Sequence, residues 1–322
     1  MPSLPTRAFD CGTSSYERLL MAATVFAAKL GLPGRVKRDR GMKDISERTE
    51  TLLPEPAWAL GALLGVRVPD LAHGEGLPLL WHWVYLLERP AQADLGPDGH
   101  PLRGTIASFP ALGRRRMWAG GRVRASGQLR CGEPATKRSR VLSIQQKQGR
   151  SGPLTFIAVE HQILQRGRVV IDEQQDIVYC ESLSPAGPAS APSEEGPVVR
   201  PADGEWAIEV SPTLLFRFSA LTYNAHRVHY DRDYARHVEG YPGLVTHGPL
   251  QALAMAEAAR TAGYRGDKHD GRLSFRYRLT SPLFDSQGLV VSAVREQDAV
   301  VTAVRDIHGR QTASGTLLNA GQ

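Results

Sequence analysis

Cysteine is scarce: Cys11, Cys131 and Cys180 are scattered through 322 residues, with no CxxC pair. That excludes a disulfide framework and a cysteine-built zinc site, and it fits a reducing compartment, with a cytoplasmic location the expectation. Long apolar runs are also missing. The best, residues 19–28, is stopped by Lys29, well short of the ~18 residues a membrane-spanning helix needs, so no membrane partner is expected. What is present suffices for a core: 42% of residues are hydrophobic and the mean hydropathy is −0.28, against a disordered chain. The length suggests one large domain or two.

The net charge of +6 invites a nucleic-acid reading until it is located. Residues 1–41 carry +4, residues 42–103 carry −4, residues 104–150 carry +10 and residues 151–322 carry −4. The basicity is mostly one segment, from Arg114 to Arg150. Its arginines lie on predicted strands without the interleaved aromatics of an RNA-binding sheet, so no nucleic-acid partner is expected.

Residues 1–41 fit no targeting pattern. Their basic run RVKRDR follows the apolar stretch instead of preceding it, and Asp10, Glu17 and Asp39 count against a transit peptide. They are read as a non-conforming, disordered leader. Folded sequence begins near Met42. Residues 46–64 are expected to form a helix capped by Ser46, with Trp58, Leu60 and Leu64 recurring at helical spacing. Pro78 is expected to open a second, buried helix in GLPLLWHWVYLLE. Four β-rich runs follow between Gly120 and Tyr179, split by glycine-containing turns. Residues 182–197, SLSPAGPASAPSEEGP, are the linker. Then the plan repeats: helical and loop material over residues 211–263, with a clear helix in GPLQALAMAEAAR, and four more β-rich runs. Helix followed by antiparallel sheet, twice, predicts a duplicated α+β fold.

Of ten histidines, four fall within residues 226–247. His247-Gly248-Pro249 opens the helix. Pro249 needs no N–H there, and Gly248 leaves its own N–H unscreened at the positive helix end, where it could polarise a carbonyl. Alone, Gly-Pro starting a helix is commonplace. Upstream, Asn224 and His229 lie in polar, irregular sequence, and a histidine there could shuttle a proton near neutral pH. His226 and His229 lack a third ligand, so no metal is expected.

The passage resembles the MaoC-like, R-specific (type 2) enoyl-CoA hydratase superfamily. That superfamily carries S-x-L-[TS]-x-D-x-N-P-x-H-x-D, then HG about twenty residues later. Here stand Ser219, Leu221, Thr222, Asn224, His226, Arg227, His229 and Asp231, then His247-Gly248. Over residues 42–320 the chain resembles the double-hotdog branch of mesaconyl-CoA and itaconyl-CoA hydratases and type 2 3-hydroxyacyl-thioester dehydratases. LPLLWHWVYLL, RRMWAGGR, EQQDIVY and YNAHRVHYD are phrases of that branch. Three positions depart from the superfamily pattern: Asn224 replaces the usual aspartate, His226 the asparagine and Arg227 the proline. An amide does not titrate, so the acid/base work moves onto His229.

The resemblance implies a double hotdog, with residues 42–181 a degenerate N-terminal hotdog and residues 198–322 the catalytic one. It implies a hydro-lyase acting on an enoyl-CoA or 3-hydroxyacyl-CoA thioester, with acyl-carrier-protein thioesters as the alternative, no cofactor, and a homodimer compatible with the fold. The implied catalytic residues are His229, Asn224 and Gly248. His226, Arg227, Tyr223, His247, Arg276 and Arg278 are the expected substrate-binding set, the arginines as partners for a free carboxylate. Arg122, Arg124, Lys137, Arg138 and Arg140 form the pool for the CoA phosphates. Two rivals remain: an acyl-CoA thioesterase, for which Glu257 is the helix's one acid, and a non-catalytic acyl-CoA binder.

Overall fold

The structure is a computed structural model describing residues 45–102, 115–149, 152–180, 196–263 and 272–319. The leader and nearly all of the 182–197 linker lie outside the described residues. Ten strands form one antiparallel sheet: β1 (Ser46–Thr51), β2 (Arg115–Ser126), β3 (Pro134–Gly149), β4 (Gly152–Gln165), β5 (Arg168–Cys180), β6 (Trp206–Ile208), β7 (Arg272–Leu279), β8 (Leu289–Arg295), β9 (Ala299–Arg305) and β10 (Gln311–Asn319). Their spatial order is β1-β3-β4-β5-β2-β7-β10-β9-β8-β6. The first five strands run 1-3-4-5-2, and the last five repeat that order in mirror sequence. The two repeats meet where β2 pairs with β7, Val123 opposite Phe275. The duplication expected from the sequence is therefore present as one continuous sheet.

Among the described residues four α-helices accompany it: α1 (Pro54–Leu64), α2 (Pro212–Leu221), α3 (Arg232–His237) and α4 (Gly248–Thr261). Helix α4 is the hub. Every residue from Leu250 to Ala259 is buried. Alanines at 252, 254, 256, 258 and 259 let the surrounding sheet approach the helix backbone closely, and the leucines at 250 and 253 join the main core with Phe275, Tyr277 and Val304.

Two expected helices are corrected. Residues 46–51 are strand, not the front of a helix. Their burial alternates with period two, and they pair with β3 from Ser46–Ser139 to Thr51–Pro134. The helix starts only at Pro54, where a missing N–H costs nothing, so Ser46 caps nothing. The second expected helix, at Pro78, does not form. Leu80 and Leu86 have φ of 68° and 52°, left-handed conformations that a non-glycine residue cannot hold inside an α-helix. Between them lies a single 3₁₀ turn, Trp81–Val84. Tertiary contacts explain it. Trp81 Nε1 donates to Glu257 of α4 at 2.8 Å, whereas His82 Nε2 and Trp83 Nε1 bond Glu173 of β5 at 3.0 and 2.9 Å. A broken backbone delivers adjacent side chains to both partners.

Candidate active site

Helix α2 begins with an orthodox cap, the Ser211 hydroxyl accepting from the Leu214 N–H. It ends at Thr222, and Tyr223 turns the chain sharply with φ 52°. The turn is locked by Asn224, whose Oδ1 accepts the His226 N–H at 3.0 Å. With its Oδ1 engaged in the turn, the amide still carries an NH₂ group that can donate. A 3₁₀ turn, Arg227–His229, then buries His229, and Asp231 caps α3 by accepting the Tyr234 N–H.

The loop is held from outside by the N-terminal half. The Arg227 N–H donates to Asp98 O at 2.9 Å and Arg227 Nη1 to Pro97 O at 3.0 Å. The same guanidinium bonds Asp231 at 2.7 Å and lies over the Tyr234 ring. Arg227 is thereby a clamp between two loops, its fork already engaged. Gly99 sits so close that a Cβ there would be 1.8 Å from Ala225 O, at a φ of 85°; only glycine allows this contact.

Four histidine rings form a chain through this region. His229 stacks on His247 with centroids 3.6 Å apart, His226 meets His229 edge-on at 5.3 Å, and His100 lies 4.2 Å from His226. His100 was not singled out in the sequence, and no local signal marks it: it is an isolated loop residue that only folding brings to His226. Burial holds all four imidazoles below the ordinary histidine pKa, with Arg116 pressing on His100, His226 and His229. His229 is drawn down to about 4. At neutral pH it is therefore uncharged, and its tautomer is set: Nδ1 donates to Val245 O at 2.7 Å, which leaves Nε2 as an acceptor. His247 Nε2 is 2.9 Å from Ser219 Oγ, and its Nδ1 has no partner among the described residues.

His247 is also the N-cap of α4, with Gly248 and Pro249 in its first turn. A Cβ on Gly248 would lie 2.3 Å from Leu279 Cδ1, so a larger residue here would have to push that side chain aside. Asn224, Thr222 and Pro249 line one cavity of about 190 Å³, together with Trp83, Trp118 and Lys137. The structure thus brings His229, Asn224, His226, His247 and Gly248 to one place. Tyr223 lies at its margin, 53% exposed.

The arginines are distributed differently. Arg276 and Arg278 alternate with Phe275 and Tyr277, and those two aromatics face the core. Both arginines therefore lie on the sheet face away from α4. Arg122 and Arg124 share that outer face, alternating with buried Val123 and Ala125, and Arg122 and Arg278 flank Asp176. Arg138 pairs with Glu47 and Arg140 with Glu160 at 2.7 and 2.5 Å. Of the five pool members, only Lys137 faces inward. Glu257 is engaged too: it accepts from Trp81 and Arg260. It lies nine residues beyond Gly248, about 13 Å along the helix at ~1.5 Å per residue, which removes it from the site a thioesterase would need.

Known proteins agree with this picture. The chain is 49% identical over 212 residues to a mesaconyl-C(4)-CoA hydratase of Chloroflexus aurantiacus, covering 65% of this chain and 71% of that protein. A MaoC-like dehydratase structure from Phytophthora capsici superposes with a TM-score of 0.60 at 16% identity, covering 86% of this chain and 96% of that one. A Mycobacterium tuberculosis protein described as a double hotdog superposes with a TM-score of 0.52 at 17% identity, over 85% and 94%. The sequence pattern of hydroxyacyl-thioester dehydratase type 2 matches residues 80–285, a span that runs from the Trp81 turn through the histidine loop and α4, and the chain belongs to that family.

Proposed function

We propose that this hydro-lyase adds water reversibly across the C2–C3 double bond of an enoyl-CoA thioester, and that its substrate is the C4 thioester of mesaconate. The relative from Chloroflexus aurantiacus carries that activity in its name. The observation that carries the reaction is the state of His229: buried, neutral, one ring nitrogen bonded to Val245 O and the other left to take a proton.

In the hydration direction, Asn224 donates from its NH₂ group to a water oxygen and holds it over C3. His229 Nε2 takes one proton from that water as the C3–O bond forms. The π electrons move toward the thioester, making an enolate whose oxygen meets the Gly248 N–H and the positive end of α4. That charge is absent from the ground state, so the contact lowers the barrier and does not merely tighten binding. The protonated His229 then gives its proton to C2 on the same face, and the 3-hydroxyacyl thioester leaves. Dehydration runs these steps backward, which is the direction of the family's name. The C-terminal half supplies these groups, and the N-terminal half covers the site. Loss of the enoyl absorbance on mesaconyl-C4-CoA, with no release of free CoA thiol, tests the reading. Thiol release in place of hydration would overturn it in favour of a thioesterase.

A further inference from the structure

The inner face of the N-terminal sheet beside the Trp81–Val84 turn carries charged and polar side chains where the other half packs the apolar helix α4. Glu173 of β5 is almost fully buried, and three donors meet its carboxylate: His82 Nε2, Trp83 Nε1 and Gln175 Nε2, at 3.0, 2.9 and 2.8 Å. It is a satisfied anion and needs nothing more. Lys137 of β3 stands in the same cavity wall and is different. Among the described residues no hydrogen bond or ion pair closes on its ammonium. Burial draws that ammonium below the ordinary lysine pKa, although Glu88, Glu173 and Glu50 act at a distance to hold it charged. Directly opposite Lys137 on β1 is Arg48, on the same face. Like charges set opposite each other in a sheet repel, so the pair calls for an anion that no described side chain brings into contact.

The cavity runs from this cation to the edge of the histidine loop: its wall includes Asn224 and Pro249, the residue after Gly248, as well as Lys137 and His161. At about 190 Å³ it holds roughly six waters at ~30 Å³ each. That is room for a short acyl group. A mesaconyl C4 thioester is such a group: an enoyl thioester with a methyl and a free carboxylate on the carbon that receives the water oxygen. A buried carboxylate needs a charged donor, and Lys137 is the one lysine or arginine among the residues lining this cavity, whereas Arg227 is clamped and Arg276 and Arg278 face away.

We infer that Lys137 binds the free carboxylate of the acyl group and makes the enzyme selective for enoyl-CoA thioesters that carry one. This rests on the hydratase reading above and names the specificity determinant of that same site. The test compares kcat/KM on mesaconyl-C4-CoA and on crotonyl-CoA, which has no carboxylate, in the wild type, Lys137→Met and Lys137→Gln. The expected result is a fall in the mesaconyl-to-crotonyl ratio of about 10–150-fold in both variants, the worth of a hydrogen bond to a charged group, carried mainly by KM. An unchanged ratio, or an equal loss on both substrates in a folded variant, overturns the inference and leaves the hydratase reading standing. If neither variant folds, the wild type decides: succinyl-CoA should bind at least tenfold more tightly than butyryl-CoA, and equal binding overturns the inference. Should the wild type hydrate neither substrate, the reaction itself falls, while the binding of the saturated pair in the wild type and in Lys137→Gln still reports on Lys137.

Discussion

The two halves of the sheet share one strand order and differ in what they pack against it. The C-terminal half wraps a fourteen-residue helix, α4, and its inner face is almost wholly apolar. At the equivalent point of the N-terminal order there is one four-residue 3₁₀ turn. The face it fails to cover carries Lys137, His161, Glu173 and Gln175, bounded by two tryptophans. A helix there would have needed apolar neighbours. Without it, the same strands can line a polar cavity beside the catalytic loop. Where one half fills its core with a helix, the other leaves strands that wall a polar cavity.

Changes on either side of this divide should differ in kind. His229→Ala, in the half that keeps the helix, should lower kcat on the best enoyl-CoA by about 10²–10⁴-fold, the worth of positioned acid–base help. More than a tenth of the activity remaining would end the assignment. Glu173→Ala, in the other half, should act on stability: breaking a buried pair costs about 3–5 kcal/mol, read by urea denaturation. A loss under 1 kcal/mol would mean the polar wall is not held as described.

Acid should separate the halves too. His229 titrates near 4 when folded instead of 6.5, so between those values the unfolded chain binds the extra proton. Its contribution is complete above pH 6.5 and is lost as pH falls toward 4; at ~1.36 kcal/mol per pKa unit it amounts to about 3 kcal/mol. Glu173, held at about 2 against 4.5, contributes above pH 4.5 and loses that contribution as pH falls toward 2. Stability measured against pH should therefore decline in two stages, the histidine stage first, and the acid limb of kcat should lie near pH 4. A limb near 6.5 would place His229 in water. The smallest effect belongs to Arg140→Ala. Arg140 lies three residues from Lys137 on the outer face, paired with Glu160 and 51% exposed, so stability should change by less than about 1 kcal/mol and the substrate ratio not at all.

Much of this was legible in the chain. The Asn224/His229/Gly248 spacing is local: a capped helix, an Asx turn and a glycine at a helix start are each written within a few residues. The β-runs of both halves were visible as well, because strand alternation and glycine turns are short-range signals. The misread elements share a cause. Residues 46–51 and 77–88 carry helix-compatible letters, but their conformation is set by distant partners, β3 for the first and Glu173 and Glu257 for the others.

Sequence alone therefore determined the duplicated α+β plan, the family and the loop that holds the candidate site, all of which depend on patterns of neighbouring residues. Tertiary structure decided which charges do what. Lys137, Arg138 and Arg140 read alike as a basic run, and only the side of the sheet each one faces, fixed by pairing with β1 and β4, turns one inward to the cavity and leaves two as solvent-facing ion pairs. The same holds for His100, which reaches His226 only because Gly99 lets two loops far apart in sequence touch.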